Sequence, residues 1–251
     1  MDMSNSTTGD FLDKLSSLKR DFKIYVPSRK KDVVATPISL KQQKEIISTT
    51  VGGIRGALEF TKIINEMILE NIDEKDFYTF DRTPLVLGLR YHCLGDKVKT
   101  GDGKVVSLKS ILTNIKTKEA KFTLTKKASI DSLKVQFRIP TIEQETIVIK
   151  KCILEIDKVT EEDITKAMGM IYIFELIKYI DSVSIGGEEA LYFNDLKVMD
   201  RVKILEQLPL EVYDKLSTFI EPVNKYDIAI LNTDDGTIAI DTSLFDAPAN
   251  A

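Results

Sequence analysis

Apolar residues change their spacing along this chain from period two to period 3.6 and back. That alternation is the strongest constraint on its fold. From Phe22 to Val26 the apolar Phe22, Ile24 and Val26 alternate with Lys23 and Tyr25, and Asp32 to Pro37 is a second extended run rich in β-branched residues. Pro27 to Lys31 lies between them as a turn, so the two runs predict a β-hairpin, with Pro37 at a strand end or edge because it donates no ladder hydrogen bond. Leu133 to Ile139 again alternates at period two and stops at Pro140, which predicts a half-buried strand. Lys121 to Leu124 reads as a further strand, and Thr100 to Gly103 as a turn before Val105 and Val106.

Between these runs the spacing is helical. Ser39, with Gln42 three residues on, forms a capping-box signature that opens a helix through Ile47. Gly52 and Gly53 end or bend it, and a second helix carries Ile54, Ala57, Leu58, Ile64, Met67 and Ile68 on its apolar side. Asp81, Thr83 and Pro84 start a third, with Leu85, Leu89 and Cys93. Residues 147–156 fit a strand or a helix equally. From Thr160, an expected N-cap followed by three acids, a helix bears Ile164, Ala167, Met168, Ile171, Phe174 and Ile177, with Met170, Ile173 and Leu176 nearly closing the ring; a helix apolar all round is expected to be central. Val198, Val202 and Leu205 mark another helix. Leu208 and Pro209 restart one with Val212, Leu216, Phe219 and Ile220 facing the core, and Pro222 is expected to end it. Tyr226 to Leu231 and Thr237 to Asp241 alternate about an Asp-Gly tip, predicting a terminal hairpin.

The fold class that follows is α+β: an N-terminal β-hairpin plus helices, a mixed middle, and a C-terminal helical bundle closed by a small β-hairpin. The expected organisation is a disordered tail over 1–9, a short amphipathic helix from Asp10 through Leu18, an α+β domain over 10–156, and a helical domain with its terminal hairpin over 157–251. The tail beyond Asp241 is expected to fray.

Chemistry is scarce. The single His, His92, sits beside Cys93 on a helix, where neighbours point about 100° apart, so a Cys–His pair is disfavoured. Cys93, Cys152 and His92 are too few for a zinc site of four Cys/His donors and lack paired spacing. The two Cys are read as free, reduced thiols. Gly101 to Lys104 lacks the spacing of a phosphate cradle, Asp234 and Asp235 lack a cation loop around them, and Arg29 to Lys31 is a solvated turn. A net charge of −4 argues against a dedicated nucleic-acid binder. No apolar run reaches the ~18 residues of a membrane span, and the polar start lacks a secretory signal. The sequence therefore implies no catalytic residue, no cofactor and no metal. Phe77, Tyr78 and Phe80 are the candidate partner interface, because aromatics anchor protein contacts, although core placement suits them as well.

The order of elements carries a resemblance. A hairpin turning at Val26-Pro27-Ser28 runs through Thr36-Pro37-Ile38 into Leu40 to Glu45; Val135 to Ile139 leads through Pro140-Thr141-Ile142 to a long helical segment; Leu208-Pro209 opens a helix before the terminal hairpin. This resembles the baseplate hub assembly family of T-even-type contractile-tail bacteriophages over roughly residues 22 to 245. The resemblance implies a non-enzymatic assembly factor or subunit of the tail baseplate hub, expressed in the cytoplasm of the infected host and contacting other hub or tail proteins, with no nucleic-acid or membrane partner. The alternatives are a structural component retained in the virion baseplate and, from another class, a hydrolase working with carboxylates alone. The resemblance also implies a Cys-rich knuckle in the terminal hairpin. The corresponding positions here are Ile228, Ile230, Ile238 and Ile240, so apolar packing is expected to take the place of metal.

Overall fold

Ile24 and Val26 of β1 (Phe22–Val26) and Val33 and Ala35 of β2 (Lys31–Ala35) turn the same face inward, and the two strands pair antiparallel with Val26 opposite Lys31. In this computed structural model the described residues are 20–49, 53–159, 163–234 and 236–246. The expected N-terminal tail, the helix from Asp10 and the Thr160 cap lie outside them. Pro37 follows β2 rather than interrupting it.

The capping box forms as expected. In α1 (Leu40–Ser48) the Gln42 N–H donates to Ser39 Oγ at 3.2 Å and the Ser39 N–H to Gln42 Oε1 at 2.8 Å. In α2 (Gly53–Asn71), Leu58, Ile64, Met67 and Ile68 are buried as expected, whereas Ala57 is exposed. A 3₁₀ turn at Thr79–Asp81 feeds α3 (Arg82–Leu94), in which every residue from Thr83 to Arg90 is buried. This is the helix enclosed on all sides. Gly88 lets it press against β1: a Cβ there would sit 2.6 Å from Ile24 Cγ2, closer than two carbons pack.

The middle is built from β3 (Lys97–Lys99), β4 (Val105–Ser107) and α4 (Leu108–Thr117), capped by Ser107, whose Oγ accepts the Ser110 N–H at 3.3 Å. β5 (Thr125–Ile130) and β6 (Leu133–Arg138) form a hairpin across Asp131, a positive-φ residue at 49°. The expected strand at Lys121 to Leu124 is corrected: those residues are irregular, and the strand starts at Thr125. Leu133, Val135 and Phe137 are the buried side of β6, as its alternation predicts. The ambiguous segment belongs to α5 (Ile142–Ile156), started by a second capping box between Thr141 and Gln144.

After α6 (Ile164–Ile177) comes β7 (Ile180–Ile185), then β8 (Leu191–Tyr192), completing an antiparallel sheet in the order β5-β6-β7-β8. β6 and β7 pair across the boundary expected at residues 156 and 157, and one cluster of buried side chains runs from Ile24 to Phe245. α7 (Val198–Leu205) and α8 (Leu210–Leu231) follow.

Two C-terminal expectations are corrected. Pro222 does not end α8, which runs on to Leu231 with Val223, Tyr226 and Ile230 buried at helical spacing. The segment from Tyr226 to Leu231 is therefore helix, and the terminal hairpin shrinks to β9 (Asn232–Thr233) and β10 (Gly236–Thr237). Of the four isoleucines, Ile230 and Ile238 are buried, Ile240 is partly so and Ile228 is exposed. Burial of residues three and seven apart outweighs a short alternation when one helical face already meets the core. Of the tail expected to fray beyond Asp241, the described residues 242–246 are packed, and 247–251 lie outside the described residues. Leu244 and Phe245, in a 3₁₀ turn at Thr242–Phe245, are buried. Arg90 Nε donates to the Leu244 carbonyl and Gln43 Nε2 to that of Phe245. The α+β class stands.

Candidate partner interface

The aromatic connector before α3 is a joint. The Thr79 N–H donates to the Pro140 carbonyl at 3.0 Å and the Ile142 N–H to that of Phe77 at 2.8 Å, tying the connector to the start of α5. Phe77 is 0% exposed and Phe80 2%. Phe80 meets Phe122 edge-on at 4.9 Å and Tyr226 at 6.1 Å between ring centroids, and the Arg29 guanidinium lies 4.8 Å over the Phe77 ring. Of the three expected interface residues only Tyr78 keeps solvent-facing surface, and its ring stacks on Phe80. The geometry assigns Phe77 and Phe80 to packing.

The reactive side chains are dispersed. His92 stacks on Phe22 at 4.2 Å. Cys93 Sγ accepts the Ile38 N–H at 3.4 Å, and burial pushes its thiol up. Cys152 is buried, and burial together with the Glu175 carboxylate pushes it up to about 12. Among the described residues no three His, Cys, Asp or Glu side chains are grouped to hold a metal ion.

One charged network lies inside. Glu145 on α5 accepts from Arg82 Nη2 at 2.5 Å, Lys178 Nζ at 2.8 Å and Asn65 Nδ2 at 3.1 Å, and Lys178 also pairs with Glu175 at 2.6 Å. Burial alone would raise the Glu145 carboxyl; Arg82 and Lys178 overturn that and hold it at about 2. Burial likewise opposes charge on Lys178, and Glu145 reverses the effect, so that it stays above its ordinary value. A carboxylate held this way keeps its charge at neutral pH and cannot serve as a general acid. It joins α2, α3, α5 and the end of α6. The sequence signals only half of it: Lys178 interrupts an apolar run, whereas Glu145 sits in the polar stretch Glu143 to Thr146 and carries no local mark of burial.

Asp227 on α8 differs. Burial raises its carboxyl, against the pull of Arg82 and a Thr83 hydrogen bond, to about 6. It lines a cleft of about 250 Å³ whose other described lining residues are apolar, Thr, and Arg82. Hydrolysis by two carboxylates needs a second acid facing the first across the cleft, and the described lining supplies none.

The unexpected surface is α6. Expected to be central, it buries only part of its circumference: Phe174 and Ile177 reach the core, while Met168 is 50% and Tyr172 47% exposed. The correction has a geometric cause. β7 follows α6 after only two residues and pairs with β6, which draws the end of the helix inward and leaves its first turns at the edge. Tyr172 meets Tyr213 of α8 at 5.7 Å between rings, and Leu210 at the start of α8 is 78% exposed. Apolar side chains exposed on neighbouring helices are the chemistry of a contact surface. Met offers an adaptable apolar contact, and Tyr offers a ring with a polar tip.

A family model described as T4 bacteriophage base plate protein matches residues 19–238. Neither a curated protein nor a solved structure matches the chain.

Proposed function

Because this chain belongs to the T4 bacteriophage base plate protein family, we propose that it is an assembly factor or subunit of the baseplate hub that acts through protein contacts and performs no bond chemistry. A structural or assembly role in the phage baseplate, in contact with other baseplate proteins, comes from the family itself. The hub, the mode of action and the contact surface are our reading. The observation that carries it is the apolar part of α6 turned to solvent, with Met168 and Tyr172 beside Tyr213. A helix this apolar at a surface is stabilised when a second protein covers it. Bound to a hub subunit through that face, the chain would hold its neighbours in an arrangement competent for the next addition. Absence of a helix long and apolar enough to cross a membrane among the described residues is compatible with that setting.

The test mixes purified hub components with and without this chain and follows complex formation by sedimentation. Faster or more complete assembly is expected with the chain present, and Met168→Glu combined with Tyr172→Glu is expected to remove the effect while the chain stays folded by circular dichroism. Unchanged assembly in both mixtures would refute the proposal. Mass spectrometry of purified virions then distinguishes the two modes: stoichiometric presence identifies a retained subunit, and absence identifies a factor that leaves.

A further inference from the structure

The chain's charge is segregated. Residues 96–138 carry eleven Lys and Arg against four Asp and Glu, a local charge of +7 in a chain whose total is −4, so the remainder carries −11. Folding gathers part of this positive charge around a cleft. α4 presents Lys109, Leu112 and Lys116 at helical spacing toward β1, and between them lies a cleft of about 230 Å³. Ile24, Gly88, Leu112 and Ile115 give it apolar walls, and Lys23, Lys109 and Lys116 line it as well. A second cleft of about 340 Å³ shares Tyr25 and Lys116 with the first and adds Lys30 and Lys118 against one acid, Glu119, so the groove stays net positive, although Lys118 Nζ also donates to the Ala229 carbonyl.

The ion pairs already present there leave it open to a partner. Lys116 meets Asp32 at 3.4 Å and Lys30 meets Glu119 at 3.8 Å, all with solvent-exposed side chains. Such surface pairs are worth on the order of 0.2–1 kcal/mol and exchange readily for another carboxylate. The chemistry around the cleft also selects the kind of anion. Its cations are lysine ammoniums, point charges without the planar fork that grips phosphate in two places. Its three rings are engaged: His92 stacks on Phe22, Tyr91 meets His92 edge-on at 4.9 Å, and Lys116 lies 5.5 Å over the Tyr25 ring, which leaves little aromatic platform for nucleobases. An apolar floor framed by ammoniums complements an aliphatic side chain flanked by carboxylates.

We propose that this lysine-lined cleft between β1 and α4 docks an acidic segment of a protein partner, with one apolar side chain seated against Ile24 and Leu112 and flanking carboxylates on Lys23, Lys109 and Lys116. The proposal rests on the baseplate reading for the partner's being a protein, and it uses a different surface from α6. Its floor depends on Gly88, since a side chain there would collide with Ile24.

Fluorescence anisotropy with the full chain tests it, using a labelled peptide Glu-Glu-Leu-Glu-Glu, the same peptide with Gly for Leu, an oligothymidylate, and vesicles containing phosphatidylglycerol. The Leu peptide is expected to bind about tenfold more tightly than the Gly peptide, and more weakly as salt rises and screens the lysines. Lys23→Glu with Lys109→Glu is expected to abolish binding. Where that pair shifts the melting temperature, Lys23→Gln with Lys109→Gln replaces it, with a loss of about tenfold expected. Equal binding of the two peptides, tighter binding to the oligothymidylate or the vesicles, undiminished binding by the variants, or no binding at low salt would each overturn the proposal. Lost peptide binding with hub assembly intact would sink the cleft alone. Retained peptide binding with no effect on hub assembly would sink the baseplate reading alone.

Discussion

Replacing Glu145 with Gln keeps the side chain's shape and its capacity to accept from Asn65, and removes one negative charge from between Arg82 and Lys178. The size of the effect comes from how far the site moves the carboxyl. Against an ordinary value of 4.5, Glu145 titrates at about 2. At about 1.36 kcal/mol per pKa unit the folded state favours the ionised form by roughly 3 kcal/mol. Removing one member of a buried pair costs a similar amount, about 3–5 kcal/mol, because the remaining charges stay desolvated. The Glu145→Gln variant is therefore expected to be about 3 kcal/mol less stable at pH 7 in urea unfolding followed by circular dichroism. The pH dependence separates charge from packing. A depressed carboxyl stabilises the fold above its unfolded pKa, and that stabilisation is lost as pH falls toward the folded one. The gap between parent and variant should thus stay near 3 kcal/mol down to about pH 4.5, narrow below it and close near pH 2. A gap under about 1 kcal/mol at pH 7, or one that does not change with pH, would refute the electrostatic account.

Asp227 has the opposite sign. Its folded value of about 6 lies above the ordinary 3.8, so the stability it contributes is present below about pH 4 and lost as pH rises through 6. Asp227→Asn should raise stability at pH 7, by at most about 3 kcal/mol, and flatten the pH profile between 4 and 6; a variant less stable than the parent at pH 7 would contradict this. Pro222 is exposed inside α8, and an interior proline costs about 3 kcal/mol through its lost N–H and ring clash. Pro222→Ala should raise the melting temperature by several degrees in calorimetry. Gly88→Ala places a Cβ within 2.6 Å of Ile24 Cγ2 and should cost about 1–3 kcal/mol in urea unfolding, less in an Ile24→Ala background, because the clashing atoms are then absent. With a thiol reagent at pH 8 and native conditions, Cys93 should react slowly and Cys152, buried with its thiol near 12, only on unfolding.

Local signals were legible wherever a few neighbouring residues decide the structure. Ser39 and Gln42 specify the start of α1 by closing two hydrogen bonds on each other. Thr141 and Gln144 do the same for α5, a signature the sequence reading did not use, so that the apolar run over 147–156 by itself fitted either structure. Signals failed where distant contacts decide. Tyr226, Ile228 and Ile230 alternate like a strand, yet Val223, Tyr226 and Ile230 already lie on the buried face of α8, and the helix continues through Pro222 to keep them there. β7 was hidden because its first residue, Ile180, completes the apolar run of α6; its pairing with β6 is long-range and leaves no local mark. The interface expectation met the same limit. Phe77 and Phe80 are aromatic residues whose role depends on whether Phe122 and Tyr226 fold over them, as they do.

The burial of α6 bears most directly on how the chain works. Phe174 and Ile177 secure this helix to the core from one side, and nothing in their packing requires Met168 or Tyr172 to be apolar. A Lys or Glu at either position would keep helix propensity and improve contact with water. Tyr172 has an intramolecular partner in Tyr213, so Met168 is the residue whose apolar character the fold explains least, and the proposed contact with a second protein would cover both. The same reasoning applies to the lysines around the β1–α4 cleft. Gathering positive charge on one face of an acidic chain adds self-repulsion, which an anionic partner relieves. An apolar face and a basic cleft at different places suit a protein that contacts two neighbours at once, and charge reversal at Lys23 and Lys109 should then leave the α6 contact intact.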